Sequence, residues 1–278
     1  MRRLTSFDDE NSVNKMHKQF DVKNLQSLQL GSSSKGNQRK WYSEEDNYFI
    51  KEQFFYQGKF WKDNQVEVIA SVIASQMNLF EVSVLQQQAC DIIDGGYVTH
   101  GVYSKMFGEN KRFVSYKRLL SVNNQYFDQN TPIADKWVSV IQNVKSCTGL
   151  DYVNYLLVMS LLDYLVGNED RHLNNFGVMQ DDSGRFSLAP LFDFGLGLFE
   201  HDRVYEGMPF RECVKKMQCK PFNRDNQKVI DWLKDQYDLQ QFFNGAIDLT
   251  ECEIPSAKAG SYLRNRCRYL GLELIGVE

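Results

Sequence analysis

Asp170 and Asn175 stand five apart in Asn168-Glu169-Asp170-Arg171-His172-Leu173-Asn174-Asn175-Phe176, and Asp193 follows inside Phe192-Asp193-Phe194-Gly195. A carboxylate, an amide and a second carboxylate in this order suit phosphoryl transfer: the first orients the acceptor hydroxyl and takes its proton, and the other two offer hard oxygens to Mg²⁺. The spacing D-x-x-x-x-N followed by D-F-G, each after an apolar segment, predicts a base at Asp170 and metal ligands at Asn175 and Asp193. Asn, Asp and Gly favour turns on their own account, so any one of these residues alone says little.

Phosphoryl transfer also needs a cation on the phosphates. Lys51, mid-strand between Ile50 and aromatic neighbours, is the candidate. Glu67, early on the next helix, is its expected ion-pair partner, with Glu52 and Glu81 as competitors. Ahead of Lys51 runs Gly31-Ser32-Ser33-Ser34-Lys35-Gly36-Asn37, the clearest loop of the chain, whose backbone N–H groups and hydroxyls suit anionic oxygens. Its predicted contacts to a nucleotide are Ser32, Ser33, Ser34, Gly36 and Gln38. His172 reads as a partner of the loop backbone or of Asp193, in support of Asp170. Arg171 reads either as a surface salt bridge or as a balance to the local carboxylates and phosphates. The strand Tyr97 to Phe107 is the expected nucleotide hinge, with Val102, Tyr103 and Ser104 as contacts.

These residues need two bodies to hold them. Residues 1–23 are polar and weakly periodic and predict a flexible lead-in. Residues 24–115 are strand-rich: Leu25, Leu28 and Leu30, Asn47 to Phe55, Glu81 to Leu85 and Tyr97 to Phe107 read as strands. One helix, capped by Asp63 or Asn64, carries Val66, Ile69, Ala70, Ile73 and Met77 on a face. Residues 116–278 predict helices at Ala134 to Val144, Asp151 to Val166, Met208 to Met217, Asn226 to Gln236, Leu239 to Ile247 and Ser256 to Leu272. The expected fold class is α+β, a two-lobed protein-kinase-like fold with a small strand-rich N-lobe and a mostly helical C-lobe.

Composition bounds the alternatives. Among 278 residues, 42% are hydrophobic and 24% charged, as in ordinary globular proteins. A net charge of −4 provides no field for collecting nucleic acid. The six cysteines form no C-x-x-C pair, which predicts reduced thiols and a cytoplasmic location. The basic start Met1-Arg2-Arg3 has no apolar run behind it, and no segment is long enough to span a membrane.

On these residues the chain resembles the HipA-like serine/threonine kinase family. Ser33-Ser34-Lys35-Gly36-Asn37-Gln38-Arg39-Lys40 is similar to that family's S-x-x-G-x-Q-x-K phosphate loop, and Phe49-Ile50-Lys51 to its strand lysine. Asp170 to Phe176 is similar to its D-x-H-x-x-N-F loop, and Pro190-Leu191-Phe192-Asp193 to its P-x-[YF]-D metal site. The resemblance implies a bacterial kinase that uses ATP and Mg²⁺ to phosphorylate protein serine or threonine, in a family that includes toxin halves of toxin–antitoxin pairs. It also implies autophosphorylation of Ser33 as an off switch, with Ser32 and Ser34 adjacent. The resemblance implies an antitoxin or regulatory partner, but little precedes the phosphate loop, so an extra N-terminal subdomain is expected to be absent, and the contact with a DNA-binding antitoxin is not carried over with it. Secretion as an effector is compatible with the sequence.

A second resemblance runs through the same motif. D-R-H-x-x-N followed by D-F-G is also the pattern of phosphatidylinositol 3- and 4-kinases. Small size, a pI of about 5.7 and the lack of a basic membrane-docking cluster after Gly195 set the lipid reading second. A catalytically silent kinase-fold interaction module is the third reading. The presence of Lys51, Asp170, Asn175 and Asp193 together argues against it.

Overall fold

The computed structural model describes residues 17–28, 38–108, 110–122, 128 and 130–278. The phosphate-loop residues Ser32, Ser33, Ser34 and Gly36 lie outside the described residues.

Among the described residues the elements begin with β1 (Lys18–Asp21), β2 (Gln26–Ser27), β3 (Lys40–Ser43) and β4 (Tyr48–Glu52), then a short hairpin of β5 (Phe55–Tyr56) and β6 (Lys59–Phe60). Helix α1 (Asp63–Ser75) follows, then β7 (Gln88–Asp94) and β8 (Tyr97–Lys105). Gly95 and Gly96, with φ of 57° and 89°, make the two-residue turn between them. This turn needs positive φ twice, which glycine supplies without steric cost. Six of these eight strands form one sheet in the order β1-β7-β8-β4-β3-β2, and β5 and β6 pair only with each other.

Residue alternation gives this sheet two faces. Phe20, Trp41, Ile50, Cys90 and Ile92 form a buried cluster on one face, with Tyr48 and Tyr103 packed against it. Lys40, Lys51 and Val102 take the other face, because Lys40 is opposite Lys51 and Lys51 opposite Val102 in the register.

The second lobe begins with β9 (Lys111–Ser115), α2 (Tyr116–Val122), α3 (Ile133–Thr148) and α4 (Val153–Val166). A hairpin of β10 (Gly177–Asp181) and β11 (Phe186–Leu188) follows, then α5 (Phe210–Lys216), α6 (Asn226–Gln236), β12 (Ala246–Asp248), α7 (Ala257–Tyr269) and β13 (Glu273–Ile275). From Tyr155 to Val166 every residue of α4 is buried. A helix apolar all round must lie inside a core, and α4 is the axis on which α1, α6 and α7 pack. Each buried leucine there contributes about 1.5–3 kcal/mol of hydrophobic stabilisation.

The structure differs from the expected elements at several places. Residues 18–21, assigned to a flexible lead-in, pair in parallel with β7. Strand β9, assigned to the first lobe, pairs with β10 of the second, so the lobes part just before Lys111. Glu81 to Leu85 makes only a bridge of Val84 with Leu191. Leu239 to Ile247 is no continuous helix: a 3-10 turn at Leu239–Phe242 ends before Gly245, whose φ is 92°, and β12 then pairs with β13. Helical apolar spacing and two short elements in succession look alike over nine residues. Among the described residues no helix is long and apolar enough to cross a membrane.

Candidate active site

Strand β4 turns Ile50 into the outer cluster and Lys51 the opposite way. There Lys51 Nζ lies 2.8 Å from Glu67 Oε1 and 2.9 Å from Asp193 Oδ1. Burial would lower the lysine's affinity for its proton, but Asp193 and Glu67 outweigh it and hold the ammonium above the ordinary lysine range. The competing glutamates are elsewhere. Glu52 is held by Arg39 at 2.6 and 2.8 Å, and Glu81 sits exposed in a turn.

Glu67 binds more than the lysine. Its Oε2 accepts the backbone N–H of Phe194 at 3.0 Å and Gln87 Nε2 at 3.1 Å. One buried carboxylate therefore ties α1 to the strand lysine and to the metal-site segment. Lys40 shares the cleft face; burial and then the charge of Lys51 lower its pKa, while Asp193 and Glu67 raise it. Two ammonium groups side by side create a field suited to a polyphosphate.

Helix α4 ends at Gly167, in the left-handed region at φ 60°, and the catalytic loop turns back from there. Asn168 Oδ1 accepts Asp170 N at 3.0 Å, and Asn175 Nδ2 donates to Asp170 O at 3.1 Å. The β10–β11 hairpin then reverses the chain, so that Asn175 Nδ2 also reaches Asp193 Oδ2 at 3.0 Å. Asp193 has φ 62°, a left-handed conformation that costs a non-glycine residue on the order of 1–3 kcal/mol. Its neighbours impose it: the Phe192 ring packs on Phe107 and Phe113, and Phe194 is buried. Burial opposes the Asp193 charge, yet the Lys51 ammonium beside it overrides this and holds the carboxyl well below the usual carboxylate range.

Asn175 spends its amide nitrogen on Asp170 and Asp193. Among the described residues its Oδ1 has no protein donor, which leaves a hard oxygen beside the Asp193 carboxylate. This donor set fits Mg²⁺, which takes one or two protein oxygens and completes its shell with water and phosphate.

Arg171 is neither a surface salt bridge nor a phosphate contact. It is 0% exposed. Its guanidinium binds Asp163 at 2.9 to 3.2 Å, Asn175 O at 2.9 Å and Phe192 O at 2.6 Å, and lies 4.5 Å over the Phe194 ring. It fastens the Asp170–Asn175 loop and the Phe192–Phe194 segment to α4. Asp163, the charge interrupting an otherwise apolar run, was the signal for this partner.

His172 is half-exposed. Its Nδ1 accepts Asn174 N at 3.2 Å, which leaves the proton on Nε2, 3.8 Å from Asp170 Oδ2. The ring thus meets the loop backbone and stands beside Asp170. Asp170 Oδ1 instead meets Lys220 Nζ at 2.8 Å, a residue that motif reasoning passed over.

Gln38, at the end of the phosphate loop, donates to Glu52 O at 2.6 Å and to Asp63 Oδ2 at 2.9 Å. Asp63 is the first residue of α1 rather than its cap; the cap position is Lys62. Its other oxygen accepts Phe54 N at 2.7 Å, and burial raises its pKa to about 6. Of the three hinge candidates, Val102 lies beside Lys51, and Ser104 is buried two residues further along the same face. Tyr103 does not line the cleft. Strand alternation turns its ring to the outer face, 5.3 Å from Phe20 and 4.9 Å from Tyr48.

The family model for phosphatidylinositol 3- and 4-kinase matches residues 64–252, from α1 to just before α7, leaving Lys51 outside the match. Among solved structures the chain is similar to a proinflammatory kinase, CtkA, of Helicobacter pylori, with 17% identity and a TM-score of 0.49 over 89% of this chain and 83% of that one. No curated protein matches.

Proposed function

The chain belongs to the phosphatidylinositol 3- and 4-kinase family, and we propose that within that phosphotransferase frame its acceptor is a serine or threonine hydroxyl of a protein. The observation that carries phosphoryl transfer is the convergence of Lys51, Glu67, Asp193, Asn175 and Asp170 from four separate elements. In the reaction the acceptor oxygen forms a bond to the γ-phosphorus of ATP and its proton passes to Asp170. The bond from that phosphorus to the bridging oxygen breaks, with its electron pair leaving on ADP. Lys51 and Lys40 hold the phosphates, and Glu67 keeps Lys51 in line. Mg²⁺, when bound, neutralises the phosphate charge, and Asn175 and Asp193 are the residues that would hold it.

The mixed charge after Gly195, where Glu200, Asp202, Glu206 and Glu212 accompany Arg203, Arg211, Lys215 and Lys216, forms no basic membrane-docking cluster and supports a protein acceptor. The similarity of Ser33 to Lys40 and of Asp170 to Phe176 to HipA-like kinases supports the same acceptor class, and with it Ser33 autophosphorylation as a switch. A phosphoserine dianion there would be repelled by bound nucleotide. The family match itself favours a second reading, a phosphoinositide headgroup as acceptor.

Incubation with γ-labelled ATP, dephosphorylated casein and phosphoinositide vesicles separates these. Label on casein serine or threonine, abolished by Asp170→Asn, is the expected result. Label on lipid alone would replace the first reading with the second. Phosphate mapped only to residues other than Ser33 in the chain itself would remove the switch.

A further inference from the structure

Lys220 reaches the predicted base from 50 residues further along the chain. It sits in the segment between α5 and α6, outside every motif read above. The segment is irregular, yet it is built to hold this one position. Cys219 and Phe222 on either side are buried, while the Lys220 side chain is 42% exposed. Cys219 N donates to Arg224 O at 2.9 Å and closes the turn. The Phe222 ring packs 5.0 Å from Trp137, and the buried ammonium of Lys136 donates to Phe222 O at 3.0 Å. Burying an ammonium costs several kcal/mol unless it is well bonded, so this carbonyl is held firmly. At the other end Met217 is buried against Gly167, the residue from which the catalytic loop departs. Loop and lysine thus rest on the same end of α4.

We infer that Lys220 is a catalytic residue whose ammonium bridges Asp170 and the phosphoryl group in flight. This rests on the phosphotransferase reading above. The acceptor hydroxyl must come within hydrogen-bond reach of Asp170 to surrender its proton, and the γ-phosphorus must then lie one bond away. An ammonium carries three donors. One on Asp170 Oδ1 leaves two for the equatorial phosphoryl oxygens, where negative charge is spread in the transition state. Lys40 and Lys51 supply charge from the strand lobe, and Lys220 supplies it from the helical lobe. It gives up no proton and leaves the step unchanged.

The test compares Lys220→Met, Lys220→Arg and Asp170→Asn with the parent, reading ATP hydrolysis, transfer to casein, ATP affinity by calorimetry and thermal unfolding. Lys220→Met is expected to lower kcat for hydrolysis and transfer alike by on the order of 100-fold. ATP affinity and unfolding temperature stay near the parent, and Lys220→Arg recovers part of the rate. A parent-like kcat overturns the inference. So does a rise in rate, which would make Lys220 a mask over the base, and so does a loss carried by ATP affinity or by unfolding. If the parent transfers nothing, or Asp170→Asn matches it, the phosphotransferase reading falls and Lys220 with it. If the parent is active and only Asp170→Asn is dead, the failure belongs to Lys220 alone.

Discussion

Replacing Glu67 by glutamine removes one charge and almost no volume, and the structure says why that is severe. Three donors converge on this carboxylate: Lys51 Nζ on one oxygen, and Phe194 N and Gln87 Nε2 on the other. Glutamine keeps one acceptor oxygen and turns an NH₂ toward whatever faced the second. Turned to Lys51, the oxygen abandons Phe194 and Gln87; turned to them, it sets an NH₂ against an ammonium. Hydrogen bonds to a charged group are each worth about 1.5–3 kcal/mol. All three lose the charge, and at least one is replaced by a clash of donors, so the site loses about 3 kcal/mol. At about 1.4 kcal/mol per tenfold, that is about 100-fold in kcat/KM for ATP. Lys51 is left with Asp193 alone and competes there with the metal, so the loss should exceed the fall in nucleotide affinity. Steady-state transfer from γ-labelled ATP, with calorimetric ATP binding alongside, measures both. A kcat/KM within threefold of the parent would refute the claim that Glu67 holds the phosphate lysine in register.

Arg171→Met strands the Asp163 carboxylate in the core and should cost about 3–5 kcal/mol in urea unfolding; the double change with Asp163→Leu should recover much of that stability without restoring activity, and a single variant as stable as the parent would count against the strut. Asp63→Asn tests a pH slope. With its folded-state pKa raised to about 6 against an ordinary 3.8, the ionised group costs about 3 kcal/mol at neutral pH, and this penalty fades as pH falls from about 6 toward 4. The variant should lose that gain in stability on acidification, and parallel stability curves for parent and variant would sink it. At Gly101, an added Cβ would stand 2.4 Å from Lys51 O and 2.7 Å from Ile92 Cδ1. Gly101→Ala should therefore destabilise by about 1–3 kcal/mol and lower activity by moving Lys51, both read from unfolding and rate in the same preparation.

The parts of the site legible in the sequence are those held together by the chain itself. Asp170 and Asn175 share one tight loop, and a single hairpin returns Asp193 to them, so spacing along the chain is also spacing in space. The buried helix α4 was legible because an all-apolar run has one place to go. The two-lobed α+β division was legible from the change of periodicity near Tyr116, though β9 crosses it, because strand pairing over 60 residues leaves no local mark. Tertiary structure decided what the chain could not announce. It chose Glu67 over Glu52 and Glu81, turned Tyr103 away from the cleft by the parity of a strand, and buried Arg171 as a strut. It also brought Lys220 to Asp170. The bond from Lys51 to Asp193 spans 142 residues and that from Phe194 to Glu67 spans 127. At such separations composition and spacing carry no register; only the packing of α1 against α4, and of both lobes around the cleft, sets which charges meet.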